Sequence, residues 1–332
     1  KRKWDAEGVI LRNESTRGSF FQKYIFDCVA DDFYTLSWFQ DLGDDVRALC
    51  IADLNGDGLN ELFAGRDLGY ADGMIHVFAW NSTSMTYEEV WSTVTTDWVH
   101  ALGAGDIDSD GHPELVACAW DGNVTIYNVT AGDYTLEYSY DYGDLGYDYY
   151  PPGYTIGLTY MRSGVIVDLD GDNYGEVVLP MDEHVVVMEA TGPDAYDPLA
   201  LDIDVGAKVY AATVCFDFDD NGYAEIVFGG EDDTVHVYEY SGLGTYTEVW
   251  NHTFAGTICD IAAASRWMPD LDGDGCYEVV VGTSYSSRTE PTLYLFEEET
   301  SVPTVPELPA YFAAMFLSSL IAATAVMVKR GK

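Results

Sequence analysis

The chain has 332 residues, 48% of them hydrophobic, enough to bury a substantial core in one large domain or two smaller ones. Its 57 acidic residues against 15 basic ones give a formal net charge of -42, which excludes a general electrostatic attraction to nucleic acid or anionic lipid and leaves cationic partners open. Six cysteines (Cys28, Cys50, Cys118, Cys215, Cys259 and Cys276) show no CxxC or Cys/His spacing of a zinc site and read as buried thiols.

At the N-terminus, Lys1-Arg2-Lys3 has no methionine before it and runs into polar residues rather than the apolar core of a leader, so a leader is expected to have been removed. Five Asn-x-Ser/Thr sequons, at Asn13, Asn81, Asn123, Asn128 and Asn251, fit an exported, glycosylated protein. Tyr34 to Asp41 has the character of an outer β-strand with no inner partner of its own, and Gly8 to Ala30 stands in front of it as surplus.

From Asp53 onward one pattern recurs five times: DLNGDGLNE from Asp53, DIDSDGHPE from Asp106, DLDGDNYGE from Asp168, DFDDNGYAE from Asp217 and DLDGDGCYE from Asp270. The first aspartates are 53, 62, 49 and 53 residues apart, a period of about fifty residues that matches a propeller blade. Oxygen-bearing side chains at positions 1, 3 and 5, a backbone carbonyl at 7 and a carboxylate at 9 supply what a hard cation needs, about six or seven oxygens at ~2.3 to 2.6 Å. The expected ligands are Asp53, Asn55, Asp57, the Leu59 carbonyl and Glu61 in the first loop, and Asp106, Asp108, Asp110, the His112 carbonyl and Glu114 in the second. The third uses Asp168, Asp170, Asp172, the Tyr174 carbonyl and Glu176, and the fourth Asp217, Asp219, Asn221, the Tyr223 carbonyl and Glu225. The fifth uses Asp270, Asp272, Asp274, the Cys276 carbonyl and Glu278, for about five calcium ions in all. Position 6 must turn sharply, and it is Gly58, Gly111, Gly222 and Gly275 in four loops and Asn173 in the other. An EF-hand loop lies between helices and closes with glutamate at its twelfth position, whereas here the glutamate comes at the ninth between strand-like segments, so each loop is a hairpin connection. Magnesium demands tighter octahedral geometry and keeps more water, which favours calcium.

Each loop leads into a short apolar strand, such as Glu61-Leu-Phe-Ala-Gly65 or Glu225-Ile-Val-Phe-Gly229, and then into a second, alternating strand, such as Met74 to Trp80 or Thr234 to Tyr240. A third follows, such as Tyr87 to Ser92 or Tyr246 to His252. The small-residue strand entering the next loop, as in Ala101-Leu-Gly-Ala-Gly105, suits the crowded centre of a propeller. The last unit lacks an outer strand, and pairing it with Tyr34 to Asp41 would close the ring and seal its edges. The expected architecture is all-β: a β-propeller over residues 1–299 with about five four-stranded blades, six or seven being the alternatives. Units such as Val99-His-Ala-Leu-Gly-Ala-Gly-Asp-Ile-Asp-Ser-Asp-Gly-His-Pro-Glu-Leu-Val116 resemble the FG-GAP/VCBS-type repeats of integrin α-subunit propellers and of many secreted microbial proteins, over roughly residues 46 to 297. The resemblance implies a propeller with calcium in its loops.

Beyond the repeat, the long second interval places extra length near Tyr138 to Tyr154, where Tyr140, Tyr142, Tyr147, Tyr149 and Tyr150 interleave with Asp141, Asp144 and Asp148. Strand alternation puts this stretch on the face away from the loops, and tyrosine is a common contact residue there, so these tyrosines are the expected ligand-binding residues. A Pro-rich linker, residues 300–309, precedes the uncharged span Ala310 to Val328, which as a helix reaches ~28 Å and crosses a bilayer. Lys329, Arg330 and Lys332 form a basic cytoplasmic tail and leave the propeller outside the cell. Pro306-Glu307-Leu308-Pro309, the apolar span and the basic end together resemble sorting signals processed by archaeosortase- and exosortase-type enzymes, which implies an anchor that is cut and replaced. The expected function is a cell-surface binding or adhesion module for a protein or glycan ligand. No nucleophile elbow, Cys/His pair or zinc motif marks an enzyme. A polysaccharide lyase or hydrolase on a propeller scaffold and a structural surface-layer component are the alternatives.

Overall fold

The computed structural model describes residues 7–13, 21–30, 33–69, 72–142, 166–215, 223–242, 245–263, 278–283 and 292–297. Within them every regular element is a β-strand, and the strands form six antiparallel sheets in which sequence neighbours are also spatial neighbours. The first sheet holds β1 (Glu7–Asn13), β2 (Phe21–Ala30) and β3 (Phe33–Asp41). The second holds β4 (Val46–Ala52), β5 (Glu61–Asp67), β6 (Gly73–Asn81) and β7 (Thr86–Thr95), and the third β8 (Val99–Gly105), β9 (Glu114–Ala119), β10 (Asn123–Thr130) and β11 (Asp133–Asp141). The fourth holds β12 (Ile166–Val167), β13 (Glu176–Met181), β14 (His184–Gly192) and β15 (Ala195–Asp204), and the fifth β16 (Val209–Cys215), β17 (Glu225–Gly230), β18 (Thr234–Tyr240) and β19 (Tyr246–Thr253). The sixth has β20 (Ile258–Ala263), β21 (Glu278–Thr283) and β22 (Leu293–Glu297).

These are propeller-like blades, and the burial pattern explains why they stack. The second strand of a blade is buried at nearly every residue, as in β5, β9, β13 and β17. A sheet apolar on both faces must be covered on both. Each core accordingly lies between consecutive sheets. Phe63, Ile75 and Val77 meet Val99, Leu102 and Leu115; Val116, Val124 and Ile126 meet Leu179, Val186 and Met188; Val178, Val185 and Val187 meet Ile226 and Phe228. Val227 and Val235 meet Ile258 and Val281, while Leu42 and Trp38 pack on Leu62 and Phe78. Two glycines record how close the blades come. A Cβ on Gly65 would lie 2.4 Å from Val99 Cγ1, and one on Gly229 would lie 3.0 Å from Ile258, so the same position of two blades is kept bare for the next inner strand.

The expected pairing of Tyr34 to Asp41 with the last blade is corrected. That segment is β3 and hydrogen-bonds to β2 from Gln22↔Asp41 to Ala30↔Phe33. The two strands are adjacent in sequence, so closing this hairpin loses far less chain entropy than joining the two ends of the chain. Gly8 to Ala30 therefore belongs to a sheet of its own with β3, as the alternative to the five-blade reading had it. The expected spanning segment 310–328, its linker and its basic tail lie outside the described residues. Among the described residues no helix is long and apolar enough to cross a membrane.

Val99 is fully buried and β-branched, so it cannot swing away from a new methyl group. Gly65→Ala is expected to destabilise the fold by about 1 to 3 kcal/mol, as overpacked core sites do. Denaturant unfolding checks this, and an unchanged midpoint would show that the blades are looser than the geometry implies.

Candidate metal centres

Each predicted loop joins the first and second strands of a blade, and its closing glutamate is the first residue of the second strand. Strand pairing carries that residue into the core: Glu61, Glu114, Glu176 and Glu225 are exposed by only 2%, 0%, 1% and 2%. In the three fully described loops one glutamate oxygen accepts the backbone N–H of position 2, from Leu54 at 2.9 Å, Ile107 at 2.7 Å and Leu169 at 2.5 Å. The loop's first residue also folds inward. Asp53 accepts Gly56, Asp57 and Gly58 N–H groups, and Asp168 accepts those of Gly171, Asp172 and Asn173. The turn at position 6 has φ of 88° at Gly58, 90° at Gly111 and 75° at Asn173, the left-handed conformation that the sequence pattern demands.

These constraints bring together Asp53, Asp57 and Glu61 in the first loop, Asp106, Asp108 and Asp110 in the second and Asp168, Asp170 and Asp172 in the third. In each group the oxygens lie within 4.8 Å of one another. Three oxygens so placed can all touch one ion at about 2.8 Å or less, close to the calcium–oxygen range. Asn55 is turned to its neighbours instead, donating from Nδ2 to Glu61 Oε1 at 2.6 Å. The remaining glutamate oxygens, Glu114 Oε1 and Glu176 Oε1, are buried with no hydrogen-bond partner. A buried, unsatisfied carboxylate oxygen beside two or three aspartates fits a cation and nothing apolar. Leu59, His112 and Tyr174 stand at position 7, their N–H groups held by Asp57, Asp110 and Asp172. In the fourth loop Tyr223 and Glu225 are described, while Asp217, Asp219 and Asn221 lie outside the described residues. In the fifth only the backbone of Glu278 is described, and its side chain, with Asp270, Asp272, Asp274 and Cys276, lies outside the described residues.

Burial pushes the carboxyls of Glu114 and Glu176 up to about 8, against the pull of their backbone N–H bonds, with repulsion from neighbouring aspartates adding to it. Glu61 is raised for the same first reason. The second loop also gathers Asp108 with Glu137 and Asp194. Sequence reading missed both partners, because neither belongs to the repeat pattern and one is 86 residues away.

Two of the expected ligand-binding tyrosines are described. Tyr142 is fully buried, its ring against Tyr140 and its hydroxyl donating to the Pro198 carbonyl at 2.5 Å, so it is a core residue. Tyr140 is half-buried against the same core, and Tyr147, Tyr149 and Tyr150 lie outside the described residues. An aromatic ring following the outer strand fills the gap between two blades more favourably than it faces water. Of the sequons, Asn251 is exposed, Asn81, Asn123 and Asn128 are half-buried, and the Asn13 side chain lies outside the described residues. Cys118 is a free thiol, and burial pushes it up to about 12.

Residues 53–117 and 217–281 match the family described as FG-GAP-like repeat. Those two stretches are similar to FG-GAP-like repeats. It is similar to integrin alpha-4 of Xenopus laevis, 27% identical over 147 residues, which is 40% of this chain and 14% of the integrin's length. Among solved structures it is similar to Sqt1 of Saccharomyces cerevisiae, with a TM-score of 0.58 at 12% identity over 85% of this chain and 68% of that one. Sqt1 of Chaetomium thermophilum gives 0.57 at 13% over 92% and 69%. At such identities the likeness is one of fold.

Metal removal provides the direct test. At ten times the dissociation constant each site adds about 1.4 kcal/mol, so three loops would add about 4. The melting temperature is expected to rise from chelator to millimolar calcium, and less so in a chain carrying Asp57→Asn and Asp170→Asn; equal melting in chelator and calcium would remove the metal reading. The metal-free loops also predict a pH dependence. Glutamates raised in the folded state stabilise it at low pH, and that contribution is lost as pH climbs from their ordinary value of 4.5 toward about 8. In chelator the chain should therefore melt higher at pH 5 than at pH 8, with the difference reduced by Glu114→Gln and Glu176→Gln; the opposite slope would contradict the burial of these groups.

Proposed function

We propose that the chain is a calcium-stabilised binding or adhesion module at the cell surface, taking a protein or glycan ligand and held at the membrane by residues 310–328. The observation that carries this reading is the set of convergent carboxylates in three loops, each with its closing glutamate buried, within repeats of the kind shared with an integrin α-subunit. Cations in these loops would act structurally, neutralising acids that repel by about 4 kcal/mol per pair at ~4 Å and an effective dielectric of 20. Recognition is then left to the opposite face. There the half-buried rings of Trp98 and Trp120 lie 5.8 Å apart, Trp98 donates Nε1 to the Gly69 carbonyl at 2.8 Å, and the Arg47 guanidinium sits 4.8 Å over its ring. Such a fixed aromatic and charged surface suits the rigid contacts that binding faces use.

The test is binding of the purified chain to protein and glycan arrays in calcium and in chelator. Saturable binding in calcium, weakened at least tenfold by Trp98→Ala and lost in chelator, is the expected result. A folded, calcium-loaded chain that binds neither class would overturn the proposal.

A further inference from the structure

The second loop differs from the first and third in where its third-position aspartate reaches. Asp108 is fully buried, and besides joining Asp106 and Asp110 it has a carboxylate oxygen within 4.8 Å of oxygens of Glu137 and Asp194. Glu137 comes from β11 of its own blade and Asp194 from the β14–β15 turn of the next, whose backbone N–H donates to Asp108 Oδ2 at 2.6 Å.

Neither carboxylate sits where the repeat would place one. The outer strands of three blades carry a bulge opposite the same point of their partner strand, at Val90 between Val77↔Trp91 and Phe78↔Glu89, at Val249 between Val237↔Trp250 and Tyr238↔Glu248, and at Glu137 between Ile126↔Tyr138 and Tyr127↔Leu136. The valines are 55% and 51% exposed, whereas Glu137 turns inward, held by the Tyr196 hydroxyl at 2.5 Å. At the equivalent junction of the first loop the facing turn is Ala131-Gly132, with no charge to offer Asn55.

A second observation lies beside this cluster. Glu114 is fully buried, its Oε1 has no hydrogen-bond partner, and the charges that act on it are Asp108, then Glu137, then Asp106. Among the described residues no lysine, arginine or histidine pairs with Asp108, Glu114, Glu137 or Asp194. Two wholly buried carboxylates with two more beside them, and no cation paired with them among the described residues, call for a compensating positive charge.

We infer that the junction between the third and fourth sheets holds a second divalent cation, bound by Asp108, Glu137 and Asp194 and sharing Asp108 with the ion of the loop. The inference rests on the calcium reading of the loops. The ion would fasten two blades together, where the ions of the first and third loops each serve one. Asp108 bridges the pair, as one carboxylate can by giving an oxygen to each ion.

The full chain and its Glu137→Gln, Asp194→Asn double variant are titrated with calcium by calorimetry and, loaded with manganese, compared by electron paramagnetic resonance. The double variant is expected to bind one calcium fewer per chain and to lose a spin-coupled pair signal present in the unaltered chain. Asp194→Asn alone, at an exposed residue whose backbone bond to Asp108 survives, should weaken one site at least tenfold without unfolding the chain. Equal stoichiometry and equal spectra, with calcium still bound in the loops, would overturn the shared site alone. An unaltered chain that binds no calcium would overturn both this inference and the calcium reading.

Discussion

A glutamate at the first residue of the second strand is the constraint on which each repeat depends. In the three fully described loops the side chain is forced into the core by the strand it begins, yet one of its oxygens caps the N–H of the loop's second residue; the other takes the Asn55 amide in Glu61 and has no hydrogen-bond partner in Glu114 and Glu176. Loop closure, strand start and charge burial are therefore one event. Removing the charge alone would keep the shape and relieve repulsion, whereas removing the side chain would leave an uncapped N–H in the core. This explains how a chain of net charge -42 holds carboxylates among its deepest residues: they are positioned by backbone donors.

The second constraint is geometric. Because β5, β9, β13 and β17 are buried along nearly their whole length, a blade has no solvent face in its middle and cannot stand alone. Stability then resides in the junctions between blades, and so does whatever the loops contribute. The start of each outer strand makes the link visible. Tyr134 is buried beside Glu61 of the preceding blade, Tyr196 donates to Glu137, and Tyr246 lies beside Glu176, with burial raising each phenol. A change of charge in one loop is thus felt by the next sheet.

The opposite ends of the strands obey different rules. There the turns carry Trp98 and Trp120, the start of β4 carries Arg47, and the Asp67 carboxylate accepts three bonds from Arg47, two from Nε at 2.7 and 2.9 Å and one from Nη2 at 2.8 Å. Acidic neighbours are balanced here by a protein cation, and the aromatic rings are only half-covered. The two ends of the blades are thus chemically distinct, one organised by unpaired carboxylates and the other by paired charges and rings.

Much of this was legible before any fold was known. The nine-residue pattern and its fifty-residue period determined the loops, the glutamate at the head of the second strand and the four-strand unit, because cation geometry and strand alternation are local and leave residue types at fixed offsets. Sequence alone could not decide which sheet Tyr34 to Asp41 would join, since two unsatisfied edges are equivalent until chain closure is weighed. Nor could it show that Tyr142 is a core residue or that Asp108 faces Glu137 and Asp194. A tyrosine reads the same whether it caps a core or a surface; the carboxylate 29 residues from Asp108 becomes its neighbour only when its own blade folds, and the one 86 residues away only when the next blade stacks on it. Local chemistry was written in the repeat; which copy of it meets which was decided by packing between sheets.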